Sequence, residues 1–188
     1  MSVPPDTPRT SALERALRGV ESCTRCSLCE TRTHVVAGCG DPDARVMLVG
    51  EAPGAAEDAT GEPFVGAAGK RLDALLAVAG LSRGDVYIAN ILKCRPPGNR
   101  DPKKSEVAAC TPWLDAQIDA VDPEVVVSLG NFATRFVLDT TEGITDVRGC
   151  VREVDGRTVL PVFHPAAAMY DPSKRAVLEA DFELLGRL

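Results

Sequence analysis

The sequence has no apolar run near the ~20 residues that a membrane-spanning helix needs. Its opening stretch, "MSVPPDTPRTSALERALRG", has no apolar segment of the secretory kind, so a cytoplasmic chain is expected. Positive charge is in deficit, with 21 Lys and Arg against 27 Asp and Glu, a net charge of −6. That balance opposes indiscriminate nucleic-acid binding and leaves room only for a local basic face. Histidine is scarce: His34 and His164 carry all the imidazole there is. The dinucleotide fingerprint G-x-G-x-x-G is missing, and "GAAGKR" has neither the spacing nor the Ser/Thr of a P-loop. A second C-x2-C knuckle, expected of a zinc ribbon, is missing too. There is no internal repeat and no low-complexity segment.

What is present is ordinary in bulk and unusual in cysteine. A chain of 188 residues, 45% hydrophobic and 26% charged, suits one domain over 1–188 with a single sizeable core. Residues 1–9, with three prolines, are expected to form a flexible arm. Seven cysteines, an odd number in a reducing compartment, argue against a disulfide framework and for metal or cluster ligation.

Local pattern gives the elements. "SALERALRGVES" reads as a short amphipathic helix capped by Ser11, with Glu14 completing a capping box. A cysteine-bearing loop over 22–41 precedes the buried strand "ARVMLVG". Leu72, Leu75, Leu76 and Ala79 have helical spacing, and Gly80 stops that helix. "DVYIANILKC" is a second strand, followed by a helix from about Pro102–Ser105 in which Pro112 must make a kink or a break. "PEVVVSLG" is a third strand and leads into helix "NFATRFVLD". "VREVDGRTVLPVFHP" suggests a hairpin turning at Asp155–Gly156, and a helix over 173–185 closes the chain.

Apolar strands alternating with helices predict an α/β fold, a three-layer αβα sandwich around a mostly parallel four-stranded sheet. Ligands of such sheets bind beyond the C-terminal strand ends. "GEAPG", "NILKC", "SLGN" and "FHPAA" all fall there.

Three constellations carry chemistry. The glycines of "VGAAGKR" either hold a phosphate at a helix start or only permit turns and close packing. Cys23 and Cys26, with Cys29 extending the run and Cys94 and Cys110 downstream, fit a four-thiolate iron–sulfur cluster at least as well as zinc. His164, at a strand end before Pro165, is a catalytic candidate, whereas His34 reads as structural or exposed. A basic loop, "KCRPPGNRDPKK", contains Lys93, Arg95, Arg100, Lys103 and Lys104.

"GEAPGAAED", "GEPFVGAAG", "NILKCRPPGNR" and "HPAA", in this order after the early C-x2-C, resemble the uracil-DNA glycosylase superfamily. The resemblance spans about Ser22 to Pro172 and is greatest to the family-four enzymes, which carry a four-iron–four-sulfur cluster. It implies hydrolysis of the N-glycosidic bond of uracil in DNA, leaving an abasic site for base excision repair. Uracil must leave the duplex to be attacked, so a flat pocket is needed. Phe64 would stack on the base, and Asn90 would donate to O4 and accept from N3–H. Cytosine presents the opposite pattern and would be rejected. Glu57 would exclude the thymine methyl, and the backbone at Ala52 would touch the base. His164 would stabilise the departing anion near O2, and Glu51 would position water or stabilise the sugar cation. Some branches carry an aspartate base where this chain has Ala52, which leaves the water activator open; a dissociative path would need little base assistance.

The resemblance also implies Cys23, Cys26, Cys94 and Cys110 as cluster ligands, with Cys29, Cys39 and Cys150 outside the set. The cluster's expected use is to staple the N-terminal loop and set basic residues, Arg95 among them, against DNA. After "HPAA" the family carries a wedge for the gap left by the flipped base. Here the segment is "AMYDPSKR", with Met169 as first candidate, Tyr170 as second, and Lys174 and Arg175 on phosphates. A related branch that traps DNA covalently has a His-containing insert after the second strand, which is absent here, so turnover is expected. The implied partner is uracil-containing DNA, met by a monomer in the cytoplasm at the nucleoid. On the residues alone two other readings stay open. One is a non-catalytic cluster- or zinc-stapled module for damaged DNA; the other is a nucleotide- or sugar-phosphate-binding enzyme.

Overall fold

The computed structural model describes residues 7–188, with the side chain of Tyr170 left aside. Helix α1 (Pro8–Ala16) is capped by Thr7, whose hydroxyl accepts from Thr10 N, and has Pro8 in its first turn. The expected cap at Ser11 is therefore four residues late. Proline at a helix start sacrifices only an N–H that has no helical partner, so "TPRT" is itself a cap signal. Of the expected arm, residues 1–6 lie outside the described residues. Pro8 and Arg9 are helical, and Arg9 reaches Asp122 at 3.6 Å.

The remaining elements are β1 (Cys39–Gly40), β2 (Val46–Gly50), α2 (Ala55–Thr60), α3 (Ala67–Val78), β3 (Val86–Asn90), α4 (Lys104–Val121) and β4 (Val125–Leu129). Then follow α5 (Asn131–Val137), α6 (Ile144–Val147), β5 (Arg152–Val154), β6 (Arg157–Val162), α7 (Ala167–Tyr170) and α8 (Ser173–Leu185). Helix α4 runs through Pro112 without a break. Just before the proline, the Thr111 hydroxyl donates to the Val107 carbonyl at 2.8 Å.

The sheet has six strands in the order β1-β3-β2-β4-β6-β5. The four predicted strands are its parallel centre, with Leu48 opposite Ile88 on one side and Val127 on the other. Two short antiparallel strands extend the edges and raise the count from four. β5 is the outer arm of the predicted hairpin, whose turn residues Asp155 and Gly156 both take positive φ, 50° and 75°. β1 spans two residues inside the cysteine loop, too few to show an alternating pattern.

Strand alternation sorts the core into two layers. Val46, Leu48, Ile88 and Val127 face Leu72, Leu75 and Leu76 of α3 and Leu178 and Phe182 of α8. Met47, Val49, Tyr87 and Val126 face Leu13 of α1, Leu114 and Val121 of α4, and Ala133 of α5. A third apolar group gathers Leu28, Leu92, Trp113 and four cysteines at one end. Among the described residues no helix is long and apolar enough to cross a membrane.

Candidate active site

Three of the four parallel strands end at one cavity of about 410 Å³. Glu51, Ala52, Pro53 and Gly54 follow β2, Asn90 ends β3, and His164 and Ala166 follow β6. Glu57, Phe64 and Ala68 supply one wall, while Pro96, Asn99 and Arg100 reach in from the loop after β3. Every base-pocket residue expected from the sequence is in this lining.

Asn90 is buried, and its Oδ1 has no hydrogen-bond partner among the described residues. A buried carbonyl without a donor costs about 1–3 kcal/mol, and a ligand N–H would relieve that cost. Gly50 makes room for this group: a Cβ there would lie 2.3 Å from Asn90 Oδ1 and 2.8 Å from Phe64 Cζ. The rings of Phe64 and His164 stand 5.7 Å apart at an interplanar angle of 28°. The Ala166 amide donates to His164 Nδ1 at 3.2 Å, which assigns the ring proton to Nε2 in the neutral form. Burial lowers the His164 pKa, with Glu57 opposing, which favours the neutral ring. Burial, aided by Asp101, raises the Glu51 pKa.

Glu57 lines the cavity with its oxygens engaged. Oε1 accepts from the Val65 and Gly66 amides, each at 3.0 Å, and Oε2 from Gly54 N at 3.1 Å. The anion at the "GAAGKR" helix start is thus the chain's own carboxylate, which removes the case for a phosphate there.

The second cavity is lined by Cys23, Cys26, Cys94 and Cys110 together with Arg25, Arg32, Lys93 and Trp113. Burial raises the Cys94 pKa, and that of Cys110 to about 11. Donors already surround the sulfurs. Arg32 Nη1 lies 3.3 Å from Cys94 Sγ and the Lys93 amide 3.2 Å from Cys110 Sγ, while the buried Trp113 Nε1 has no partner among the described residues. Four soft sulfurs ringed by N–H groups suit a thiolate-bound cluster, whose charge would offset the cost of ionising buried thiols. Among the described residues no three His, Cys, Asp or Glu are arranged to hold a single metal ion.

A sequence model of the uracil DNA glycosylase superfamily matches residues 37–185. A type-4 uracil-DNA glycosylase of Archaeoglobus fulgidus is 46% identical over 185 residues, 94% of this chain and 93% of that protein. One from Thermotoga maritima is 46% identical over 176 residues, 91% of this chain and 92% of its own. A type-5 enzyme of Pyrobaculum aerophilum is 39% identical over 144 residues, 68% of this chain and 63% of that protein. This chain belongs to the uracil DNA glycosylase superfamily.

In this superfamily member Met169, Lys174, Arg175 and Arg95, the residues expected to meet DNA, are absent from both cavity linings. Met169 is half exposed beside the His164 segment. Lys174 pairs with Asp171 at 3.7 Å and lies 5.2 Å from the Phe163 ring centroid, and Arg175 pairs with Glu179 at 3.6 Å. Arg95 donates to Asn99 Oδ1 at 2.7 Å. His34 is exposed, its Nδ1 bonded to the Asp58 carbonyl at 3.0 Å. Sequence reasoning missed Asn99 and Arg100 as pocket residues. Arg100 is held by Glu106, with Nη1 2.9 Å and Nη2 2.5 Å from its oxygens, and Glu106 also caps α4. The local signal was the capping spacing from Lys103 to Glu106 inside a run read only as basic.

Proposed function

We propose that the first cavity takes an extruded 2′-deoxyuridine: the chain is a uracil-DNA glycosylase that releases uracil and leaves an abasic site. The observation that carries this reading is the unpartnered Asn90 Oδ1, buried in the cavity that Phe64 and His164 also line. Uracil N3–H fills that acceptor and O4 takes the amide N–H. Cytosine would leave the acceptor facing N3, a lone pair, and set its own amino group against the amide donor. Phe64 stacks on the ring, the Ala52 backbone meets its edge, and Glu57 bounds the C5 side.

As the bond from C1′ to N1 breaks, the electron pair leaves with uracil and C1′ becomes cationic. Neutral His164 donates Nε2–H to the developing anion at O2, the place where electrostatic stabilisation has most effect. Glu51, poorly solvated, stabilises the cation and orients the water whose oxygen bonds to C1′. The water's proton passes to this carboxylate or to solvent. Ala52 offers no carboxylate base, consistent with attack on an already formed cation.

Cys23, Cys26, Cys94 and Cys110 would hold a four-iron–four-sulfur cluster, while Cys29, Cys39 and Cys150 stay outside. Bound there, the cluster supplies a covalent tie between the N-terminal loop and the segment after β3. Met169 serves as wedge, and Lys174, Arg175 and Arg95 serve the phosphates. Both helix-borne cations exchange an intramolecular carboxylate for DNA. The chain acts as one monomeric unit in the cytoplasm, on DNA of the nucleoid.

The test is a labelled oligonucleotide with one uracil, incubated with protein and cleaved with alkali, beside U:G, U:A, T:G and hypoxanthine substrates. Strand breaks are expected at uracil and not at thymine. His164→Ser should slow release severely with the fold and visible spectrum intact. Full activity in that variant would remove the mechanism.

A further inference from the structure

Phe64 has a left-handed backbone, φ +54°. That conformation is strained for any residue with a Cβ and persists only where the surroundings impose it. Three groups impose it here. Gly69 leaves space, since a Cβ at that position would lie 1.6 Å from the Phe64 carbonyl oxygen. Glu57 holds the next two amides, those of Val65 and Gly66. Arg83 holds the carbonyls on the other side: its Nη2 donates to Phe64 O, and its Nη1 to Pro63 O at 3.1 Å. A longer bond from Nη2 reaches Gly69 O at 3.5 Å, and Nε is fixed by Asp73 at 2.5 Å.

Arg83 therefore commits both terminal nitrogens to this turn with its Nε anchored on Asp73 of α3, and does so from outside the cavity, whose lining does not include it. It sits in a short 3₁₀ turn, Arg83–Asp85, that leads into β3. The turn it grips carries the ring that faces His164. A guanidinium on the carbonyls and a carboxylate on the amides hold the same turn from opposite ends of its peptide dipoles.

We propose that Arg83 is a positioning residue for base capture: it holds Phe64 in its left-handed state so that the stacking surface exists before DNA arrives. The inference rests on the reading of Phe64 as the base platform. A platform assembled in advance removes an ordering cost from extrusion. Loss of Arg83 thus weakens capture of the flipped base more than the bond cleavage that follows.

The experiment is a double-mutant cycle of Arg83→Met and Phe64→Ala. It is read by single-turnover excision across enzyme concentration and by fluorescence of a 2-aminopurine placed beside the uracil. Arg83→Met should raise the half-saturating concentration roughly ten- to a hundredfold and reduce the 2-aminopurine response. Arg83→Lys should recover only part, because it restores charge without the fork. In the Phe64→Ala background the Arg83 change should matter less than about twofold. An equal effect in both backgrounds would assign Arg83 a general structural role and overturn the proposal, as would a wild-type response in Arg83→Met. If Phe64→Ala itself behaved as wild type, the platform reading would fall first. Should Arg83→Met not fold, Asp73→Asn, which frees the guanidinium without deleting it, must shift half-saturation in the same direction; no shift overturns the proposal.

Discussion

The two cavities at this end of the sheet are built on opposite plans. The base pocket is complete in its protein parts: its carboxylate is tied to three amides, its imidazole has a fixed tautomer, and its aromatic turn is clamped from both sides. One buried acceptor, Asn90 Oδ1, has no partner among the described residues. The thiol cavity has donors beside Cys94 and Cys110, while burial raises the pKa of both thiols. Preorganisation in the first place suits chemistry; in the second, on the proposed reading, a bound cluster would complete the structure. Lys93 joins the two. Its amide meets Cys110 Sγ, while its buried Nζ donates to the Asn90 carbonyl at 2.7 Å and to Gln117 Oε1. Burial lowers the ammonium pKa to about 7, with Cys110 opposing.

Removing one side chain from each cavity should break the comparison open. Cys110→Ala is expected to abolish the brown colour of the anaerobically prepared protein and to lower its melting temperature by roughly 4–20 °C. That range follows from a lost cross-link of about 2–5 kcal/mol at 2–4 °C per kcal/mol in a chain of this size. Asn90→Ala should leave colour and melting nearly unchanged while slowing uracil excision about 10²- to 10³-fold. Calorimetry and single-turnover kinetics on the same preparations decide. A colourless Asn90 variant, or a Cys110 variant that melts like the parent, would show that the two sites are not divided this way.

The central sheet was legible because buried parallel strands announce themselves as continuous apolar runs, here "VMLVG", "VYIAN" and "VVVSL". The site was legible because its chemistry sits at the ends of those runs. The edges were not: β1 is two residues long and is defined by its pairing with β3 alone. Nor were the clamps. Glu57 was expected to face the base, and nothing local says that its oxygens meet amides eight and nine residues away. Arg83 lies far along the chain from Phe64 and becomes its neighbour only because α3 folds back between them. Residues that touch the guest fall at predictable places on the fold, whereas those that hold them are fixed by long-range approach.

The smallest expected effect concerns Glu51, and it sharpens what preorganisation costs. Burial, with Asp101 adding to it, raises this carboxyl above its ordinary pKa of 4.5 in the folded chain. The folded state therefore takes up the proton more readily than the unfolded one, and stability falls as pH rises from about 4.5 through the raised value. Above that window the ionised group is a constant burden. Glu51→Gln, which cannot ionise, should match the parent's melting temperature at acid pH. It should then gain a few degrees at most as pH approaches neutrality, with loss of excision rate. A pH series of melting curves tests this directly. A variant equally or less stable than the parent at pH 7 would mean that the carboxylate is well solvated or well paired. It could not then be the poised negative charge that the sugar cation requires.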